Sequence, residues 1–507
     1  MVQGTASHVG KSILVSALCR IFKQDGYSVA PFKAQNMSNN SHVTPDGKEI
    51  GRAQSIQAEA AGIESRVEMN PILLKPETDD SSQVVVMGKP LTSAKALDYF
   101  ALKNQLWDAV CSSLDILRNE YDIVVIEGAG SPAEINLKEN EIVNMRVALY
   151  SNSPVLLCGD IDRGGVFASL VGTLELLNAE EKNTIQGFII NKFRGDKSLL
   201  DDGLSWLEER TGIPVAGVIN HYNDIHIPEE DSVGLEVLSS KSIENELDIV
   251  VIQLPHIANF DDFDPLAREQ GVNLRYVSNI EELSEPDLII LPGSKTTISD
   301  LLWMEQQGLA DCIKRLYSKG TPIIGICAGY QMLGKKLYDP SGIESDIKEL
   351  EGLGLLPITT VFEHTKATKR IKAIITSDHG LLGGALSIPI SGYEIHMGRT
   401  SGDIFAQPFK IQSQQEDDQT TVFSFDGAIN ENGDVLGTYI HGLFHNIKLR
   451  QSVLSHIAQL KNLSIVFSNE RQDLDQEYDK LAEWVRTSID MDLIYKMTGL
   501  EKIHNTQ

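Results

Sequence analysis

Short apolar runs recur along the chain, and most of them end at glycine, aspartate, asparagine or proline. They span residues 123–126, 155–157, 188–190, 249–252, 288–291 and 323–326. Runs of this length without polar alternation are typical of strands buried on both faces of a parallel sheet. Helical patterns lie between them, for example over 12–23 and 328–337. The alternation predicts an α/β layered fold whose ligands bind beyond the carboxyl ends of the strands.

An acidic, serine-rich stretch at 228–246, PEEDSVGLEVLSSKSIENE, interrupts this pattern and is typical of a linker. We therefore predict two consecutive layered α/β domains with mostly parallel sheets, over residues 1–230 and 247–446. A C-terminal tail over 447–507 follows. Its residues Leu474, Tyr478, Leu481 and Val485 stand three or four positions apart, which predicts a helix.

Composition narrows the class of protein. A chain of 507 residues with 42% hydrophobic and 23% charged residues is typical of a soluble enzyme of two or three domains. The net charge of -27 argues against a nucleic-acid binder, and no apolar run is long enough for a membrane span. Five scattered cysteines without a C-x-x-C pair favour a reducing cytoplasm. The sequence leaves the oligomeric state open, a homo-oligomer included.

The segment from Gly4 to Ser12 has the residue types of a phosphate-binding loop. Gly4, Thr5 and Gly10 would let backbone N–H groups surround phosphate oxygens. Lys11 would reach the terminal phosphates of ATP, and the Ser12 hydroxyl would bind Mg²⁺. Five residues separate Gly4 from Gly10, where the usual loop has four. We expect an ATP site here.

A second segment supports the ATP site. The string YDIVVIEGAGS reads as a buried strand that ends at Glu127, where the carboxylate would bind Mg²⁺ directly or through water. Only residues 1–3 precede Gly4, which fits either a very short first strand or a start further upstream.

Cys327 lies between an apolar run and a helical pattern, in the string GICAG. A thiol on such an elbow is exposed at the head of a helix, whose dipole lowers its pKa. The N–H groups of Ala328 and Gly293 would stabilise an oxyanion. His441, in the string YIHGLF, is the candidate base. These residues predict a cysteine-dependent glutaminase.

The Cys327 and His441 segments resemble the class I glutamine amidotransferases. Most members of that class have a glutamate two residues after the histidine, where this chain has Leu443. A residue that orients His441 is therefore either absent or supplied from elsewhere, and Glu394 is one candidate.

The spacing G-T-x-x-x-x-G-K-S together with E-G-A-G resembles the dethiobiotin synthetase branch of phosphate-loop proteins. Longer strings resemble the cobyric acid synthase family over nearly the whole chain. They are PFKAQNMSNN at 31–40, GRAQSIQAEAAG at 51–62, NPILLKP at 70–76, SQVVVMGK at 82–89, GDIDRGGVF at 159–167 and NKFRGD at 191–196. One departure is His8, where the family usually has an acidic residue.

The resemblance implies a function and a set of site residues. The function is amidation of adenosylcobyrinic acid a,c-diamide, a corrinoid, at its b, d, e and g carboxylates, with ATP, Mg²⁺ and glutamine. Asn191 would help to bind the adenine ring. The side chains near the phosphates or the corrinoid carboxylates would be Lys33, Gln35, Asn36, Arg52 and Arg163.

Two other functions compete with this hypothesis. One is a glutamine amidotransferase for a related substrate, such as cobyrinic acid or a cell-wall precursor. The other is a nucleotide switch of the partitioning type, which dimerises on binding ATP. That switch would need neither Cys327 nor His441, so measurable glutaminase activity separates the two classes.

Overall fold

A computed structural model of the chain describes residues 1–78, 81–222, 225, 227–228, 246–414, 421–463, 465, 467 and 474–500. The predicted linker 228–246 lies outside the described residues except at its two ends. In the part that is described, no helix is long and apolar enough to cross a membrane.

The N-terminal unit is an α/β domain. Its strands are β1 (Val2–Gly4), β2 (Val29–Phe32), β3 (Gln35–Met37), β4 (Ser41–Val43), β5 (Glu49–Gly51), β6 (Ile72–Pro76), β7 (Ser81–Val86), β8 (Lys89–Lys95), β9 (Ile123–Ile126), β10 (Val155–Asp160), β11 (Ile185–Phe193) and β12 (Val215–Asn220). Its helices are α1 (Lys11–Gln24), α2 (Arg52–Ala61), α3 (Ala96–Glu120), α4 (Met145–Ser151), α5 (Val166–Leu176), α6 (Ala179–Thr184) and α7 (Asp201–Thr211).

The central strands of this unit are parallel, as predicted. Strands β1, β10, β11 and β12 form one sheet in that order, and β2 pairs with β9. A parallel bridge between Val2 and Glu127 places the two sheets side by side. The carboxyl ends of β1 and β9 therefore lead directly into the phosphate loop and Glu127.

The second unit is also α/β. Its strands are β13 (Leu247–Ile252), β14 (Ile257–Ala258), β15 (Val272–Val277), β16 (Leu288–Leu291), β17 (Gly293–Ser294), β18 (Ile323–Ile326), β19 (Lys336–Tyr338), β20 (Glu349–Glu351), β21 (Ile358–Ile375), β22 (Pro389–Gly402), β23 (Phe409–Gln414), β24 (Thr421–Asp426), β25 (Ala428–Ile429) and β26 (Val435–Thr438). Its helices are α8 (Asp264–Ala267), α9 (Ile280–Leu283), α10 (Thr297–Gln306), α11 (Leu309–Ser318), α12 (Ala328–Met332) and α13 (Ile447–Leu460).

The main sheet of this unit has the order β15-β13-β16-β18-β26-β25, and only the edge strand β25 is antiparallel. A second, largely antiparallel sheet is built on the long hairpin of β21 and β22. The prediction of two α/β layered units with mostly parallel sheets is confirmed.

One predicted helix is shorter than expected. The pattern over 328–337 predicts a helix, but α12 ends at Met332 and β19 begins at Lys336. A Cβ atom on Gly334 would lie 2.9 Å from the carbonyl oxygen of Ile358, so this turn packs against the start of β21. Lys335 donates its N–H to the same oxygen at 2.7 Å. The bond to a neighbouring strand replaces the next helical turn.

The segment 447–507 is shared between the two units. Helix α13 packs into the core of the second unit through Leu449, Val453 and Ile457. The last two helices, α14 (Leu474–Arg486) and α15 (Met491–Thr498), pack instead against α1 and the N-terminal sheet. The chain therefore returns to its first domain at its end.

Candidate active site

The phosphate loop connects β1 to α1. Gly10 has φ +98° and stands immediately before α1, and a Cβ atom there would lie 2.1 Å from Nδ2 of Asn191. Asn191 donates that nitrogen to the carbonyl oxygen of Val9 at 2.8 Å. Lys11 Nζ donates to the carbonyl oxygens of Ala6 at 2.9 Å and Gly130 at 3.2 Å. The loop is thus closed around its lysine, with room only for glycine at position 10.

Glu127 lies at the centre of a buried polar cluster beside this loop. Its Oε1 accepts hydrogen bonds from Ser12 Oγ at 2.9 Å and Lys33 Nζ at 2.8 Å. Gln57 Nε2 donates to Oε2 at 2.5 Å. Burial alone would raise the pKa of Glu127, but the charge of Lys33 and these three hydrogen bonds hold it below its usual value. Glu127 is therefore an anion next to the first turn of α1.

A magnesium ion fits the donors of this cluster. Mg²⁺ prefers hard oxygen ligands and commonly takes only one or two from protein, with water and substrate phosphates supplying the rest. Ser12 Oγ and the Glu127 carboxylate provide such a pair. No group of three or more histidine, cysteine, aspartate or glutamate side chains suited to a metal occurs among the described residues.

The side chains that the family resemblance grouped together have different neighbours in the structure. Lys33 lies in the Glu127 cluster, and Asn36 contacts Gln54 at 3.2 Å. Arg163 is exposed on the turn after β10. Arg52 is buried and contacts Asp261 of the second unit at 2.7 Å, so its nearest anion is a protein carboxylate.

Cys327 occupies the elbow between β18 and α12. Its backbone has φ +53° and ψ −107°, a conformation that residues with a side chain rarely adopt, and strain of this kind is common at nucleophiles. The Cys327 N–H donates to the carbonyl oxygen of Thr438 at 2.8 Å. A Cβ atom on Gly293 would lie 3.8 Å from Cβ of Cys327 and 3.1 Å from Cε1 of His441. Cys327, His441 and Gly293 therefore meet at one point.

Asp262 holds His441, a partnership that sequence reasoning missed. His441 Nδ1 lies 2.7 Å from Asp262 Oδ2, and Gly442 N–H donates to Oδ1 of the same carboxylate at 2.7 Å. Burial lowers the pKa of His441, but the negative charge and hydrogen bond of Asp262, with a further hydrogen bond to Cys327, outweigh it and raise the pKa to about 10. The second ring nitrogen is left for the Cys327 thiol.

Glu394 does not contact His441. Its carboxylate is 3.0 Å from Lys369 Nζ and 3.8 Å from His396 Nε2. The signal for Asp262 was the acidic pair at 261–262 between Phe260 and Phe263, in a segment that follows the first strand of the second unit. The four residues form a short 3-10 helix, Phe260–Phe263, with both aspartates buried.

The pocket in front of Cys327 is bounded by both units. Its lining includes Cys327, His441 and Gln331, together with Lys75 and Gln83 of the N-terminal unit and Lys366 from β21. Glu49 contacts both Lys75, at 2.8 Å, and Lys366. Burial lowers the pKa of Lys366 to about 8, although the charge of Glu49 opposes this shift. Residues of both units therefore line the pocket of Cys327 and His441.

Comparison with known proteins agrees with this arrangement. Residues 1–233 match the model of the CobQ/CobB/MinD/ParA nucleotide binding domain, and residues 248–448 match that of the CobB/CobQ-like glutamine amidotransferase domain. A cobyric acid synthase of Dehalococcoides mccartyi is 54% identical over 501 residues, which are 98% of this chain and 97% of that protein. The chain belongs to the cobyric acid synthase family. A member from Moorella thermoacetica is 51% identical over 506 residues, which are 99% of this chain and 97% of that protein.

Membership of the cobyric acid synthase family has direct consequences. The chain is a glutamine-dependent amide-forming ligase of cobalamin biosynthesis. Its first unit is a nucleotide-binding domain, and its second is a glutamine amidotransferase domain. The partitioning-type switch proposed as an alternative is not supported, because the chain matches cobyric acid synthases over almost its whole length.

Proposed function

We propose that this enzyme amidates the b, d, e and g carboxylates of adenosylcobyrinic acid a,c-diamide to give adenosylcobyric acid, with ATP as the activating substrate and glutamine as the nitrogen donor. The observation that carries the proposal is the pocket of Cys327 and His441, which Lys75 and Gln83 of the nucleotide-binding unit help to line. Ammonia released there would be next to the unit in which a carboxylate is activated. The proposed units are residues 1–230 and 247–446, and the described helices of the tail 447–507 pack on both: α13 on the second unit, α14 and α15 on the first.

In the glutaminase half, Cys327 Sγ attacks the side-chain amide carbon of glutamine. The N–H groups of Ala328 and Gly293 stabilise the oxyanion of the tetrahedral intermediate. His441 gives a proton to the leaving ammonia, and water then cleaves the thioester to release glutamate and the thiol. Asp262 keeps the imidazole oriented and stabilises its charged form, which the raised pKa of His441 supports.

In the ligase half, a corrinoid carboxylate takes the terminal phosphoryl group of ATP and becomes an acyl phosphate. Ammonia then displaces phosphate to form the amide. Gly4, Thr5 and Gly10 would cradle the phosphates and Lys11 would offset their charge, while Asn191, which donates to the Val9 carbonyl oxygen of the loop, would contact the adenine ring. Ser12 and Glu127 would hold Mg²⁺, which neutralises charge on the phosphates. Lys33 keeps Glu127 ionised for this role.

The test uses glutamine labelled with ¹⁵N in its side-chain amide, together with ATP, Mg²⁺ and the corrinoid diamide. We expect a corrinoid product that carries four labelled amides, detected by mass spectrometry. Cys327→Ala with ammonium chloride as nitrogen source provides the matched control, and it should give the same product without label. Hydrolysis of glutamine with no label on the corrinoid would contradict the proposed substrate.

A further inference from the structure

Two contacts from the N-terminal unit reach the short helix Phe260–Phe263. Arg52 Nε, at the start of α2, donates to Oδ2 of Asp261 at 2.7 Å. The N–H of Ser41 donates to Oδ1 of Asn259 at 2.9 Å. Asn259 has φ +53° and stands immediately before the helix that carries Asp262. The N-terminal unit thus holds both the entry to this helix and the residue next to Asp262.

A third contact from the N-terminal unit reaches Tyr393, the residue that stacks on His441. The ring of His42, on β4, packs edge-on against Tyr393 at 4.8 Å between ring centroids. Tyr393 stacks on His441 at 5.3 Å, and the two residues exchange backbone hydrogen bonds at 2.8 and 3.2 Å. Residues within 41–52 therefore contact Tyr393 directly and, beside Asp262, the residues Asn259 and Asp261.

Among Ser41, His42 and Arg52, the residue that brings a charge to these contacts is Arg52, and it is itself fixed in place. It is 6% exposed, its N–H donates to the carbonyl oxygen of Asn40 at 3.1 Å, and its Nη1 contacts Glu59 at 3.0 Å. Burial alone would raise the pKa of Asp261, but the charge of Arg52 holds it below its usual value. Without that cation, the Asp261 carboxylate would be a buried charge with no compensating partner, directly beside Asp262 in the chain. Burying such a charge costs free energy.

The helix that begins at Arg52 also contacts the ATP site. Gln57, in the second turn of α2, donates to Glu127 at 2.5 Å and lies 3.5 Å from the carbonyl oxygen of Ser12. One ten-residue helix therefore has contacts with the phosphate loop and with the neighbour of Asp262.

We propose that Arg52 is a positioning residue of the glutaminase. Through Asp261 it fixes the helix Phe260–Phe263, so that Asp262 aligns His441 with Cys327. Hydrolysis of glutamine in the second unit thereby depends on α2 of the nucleotide-binding unit. This inference rests on the proposed function, in which His441 is the base that serves Cys327.

The test compares Arg52→Gln, Asp261→Asn and the double variant by glutamine hydrolysis. We expect each single variant to lower kcat about 10- to 100-fold, the loss that a misplaced catalytic group causes, while KM for glutamine changes less than about threefold. Arg52→Lys, which restores the charge but cannot bridge Asp261 and Glu59, should recover part of the loss. The double variant should be no worse than the poorer single variant, because both changes remove one interaction.

Arg486→Gln is the matched control. Arg486, at the end of α14, also bridges segments that are far apart in the chain, with Nη1 3.0 Å from Asp25, but Asp25 stands at the end of α1 opposite the phosphate loop. It should keep the native kcat. Asp261→Asn should retain ammonia-dependent amidation, which reports that the protein is folded.

Three outcomes would overturn the inference. They are a native kcat in Arg52→Gln, additive losses in the double variant, and an equal loss in Arg486→Gln. Failure of the proposed function has a different signature, because Cys327→Ala would then still hydrolyse glutamine. Loss of hydrolysis in Cys327→Ala with a native kcat in Arg52→Gln leaves the proposed function standing and removes only the role of Arg52.

Discussion

Asp262 Oδ2 lies 2.7 Å from Nδ1 of His441, although 179 positions of the chain separate the two residues. The contact fixes which ring nitrogen faces Cys327. It also shows that this chain, with Leu443 where most class I glutamine amidotransferases have glutamate, positions its histidine from a different part of the sequence.

We expect Asp262→Asn to lower kcat for glutamine hydrolysis about 10²- to 10⁴-fold, because an amide neither stabilises the imidazolium nor fixes its tautomer. Steady-state assays of glutamate release provide the measurement. Glu394→Gln is the control and should be much milder, since Glu394 contacts Lys369 rather than His441. Equal losses in the two variants would argue against Asp262 as the orienting residue.

We expect Cys327→Ala to abolish glutamine-dependent amidation and to leave ammonia-dependent amidation intact, because the thiol serves only to release ammonia. Both rates are measured by mass analysis of the corrinoid. Cys312→Ala, at a buried thiol on α11, should change neither rate. A folded Cys327→Ala protein that has lost both activities would contradict the division of labour between the units.

We expect Lys11→Ala and Glu127→Gln to abolish amidation with either nitrogen source, because the phosphoryl group loses its charge partner or the metal loses a ligand. The assay is ammonia-driven amidation at saturating ATP. Lys138→Ala removes a lysine that pairs with Glu181 in the same unit, and it should remain active. Near-native synthesis by Lys11→Ala would mean that the loop from Gly4 to Ser12 is not the catalytic phosphate site.

The His441–Asp262 pair also predicts a pH dependence of stability. In the folded protein the pKa of His441 is raised to about 10, whereas an unfolded histidine titrates near about 6.5. The stabilisation is therefore complete below about pH 6.5 and is lost as the pH rises toward 10. We expect the gap in unfolding temperature between the native protein and Asp262→Asn to narrow over this window. A gap that widens there would show that the shift has the opposite sign.

Much of the fold could be predicted from local sequence patterns, because a buried parallel strand and a strand-to-helix elbow can each be recognised within a few residues. The apolar run before Cys327 is one example, and the structure places β18 at that run. Asp262 had only the weaker signal of an acidic pair between two phenylalanines, and the contact of Arg52 with Asp261 had none. Their partners are far away in the sequence, and an acidic pair or an arginine on a helix is most often a solvated surface group. The end of α12 could not be predicted either, because it depends on a hydrogen bond to the carbonyl oxygen of Ile358, which lies on a strand distant in sequence.

Helix α2 contacts Glu127 through Gln57 and Asp261 through Arg52, so the two half-reactions share one rigid element. Thermodynamic linkage is reciprocal: if nucleotide binding favours the position of α2 that aligns His441, then occupation of the glutaminase pocket must tighten nucleotide binding by the same factor. Through α2, the binding of ATP would then favour the binding of glutamine and the reverse, so that the two sites would tend to be filled together.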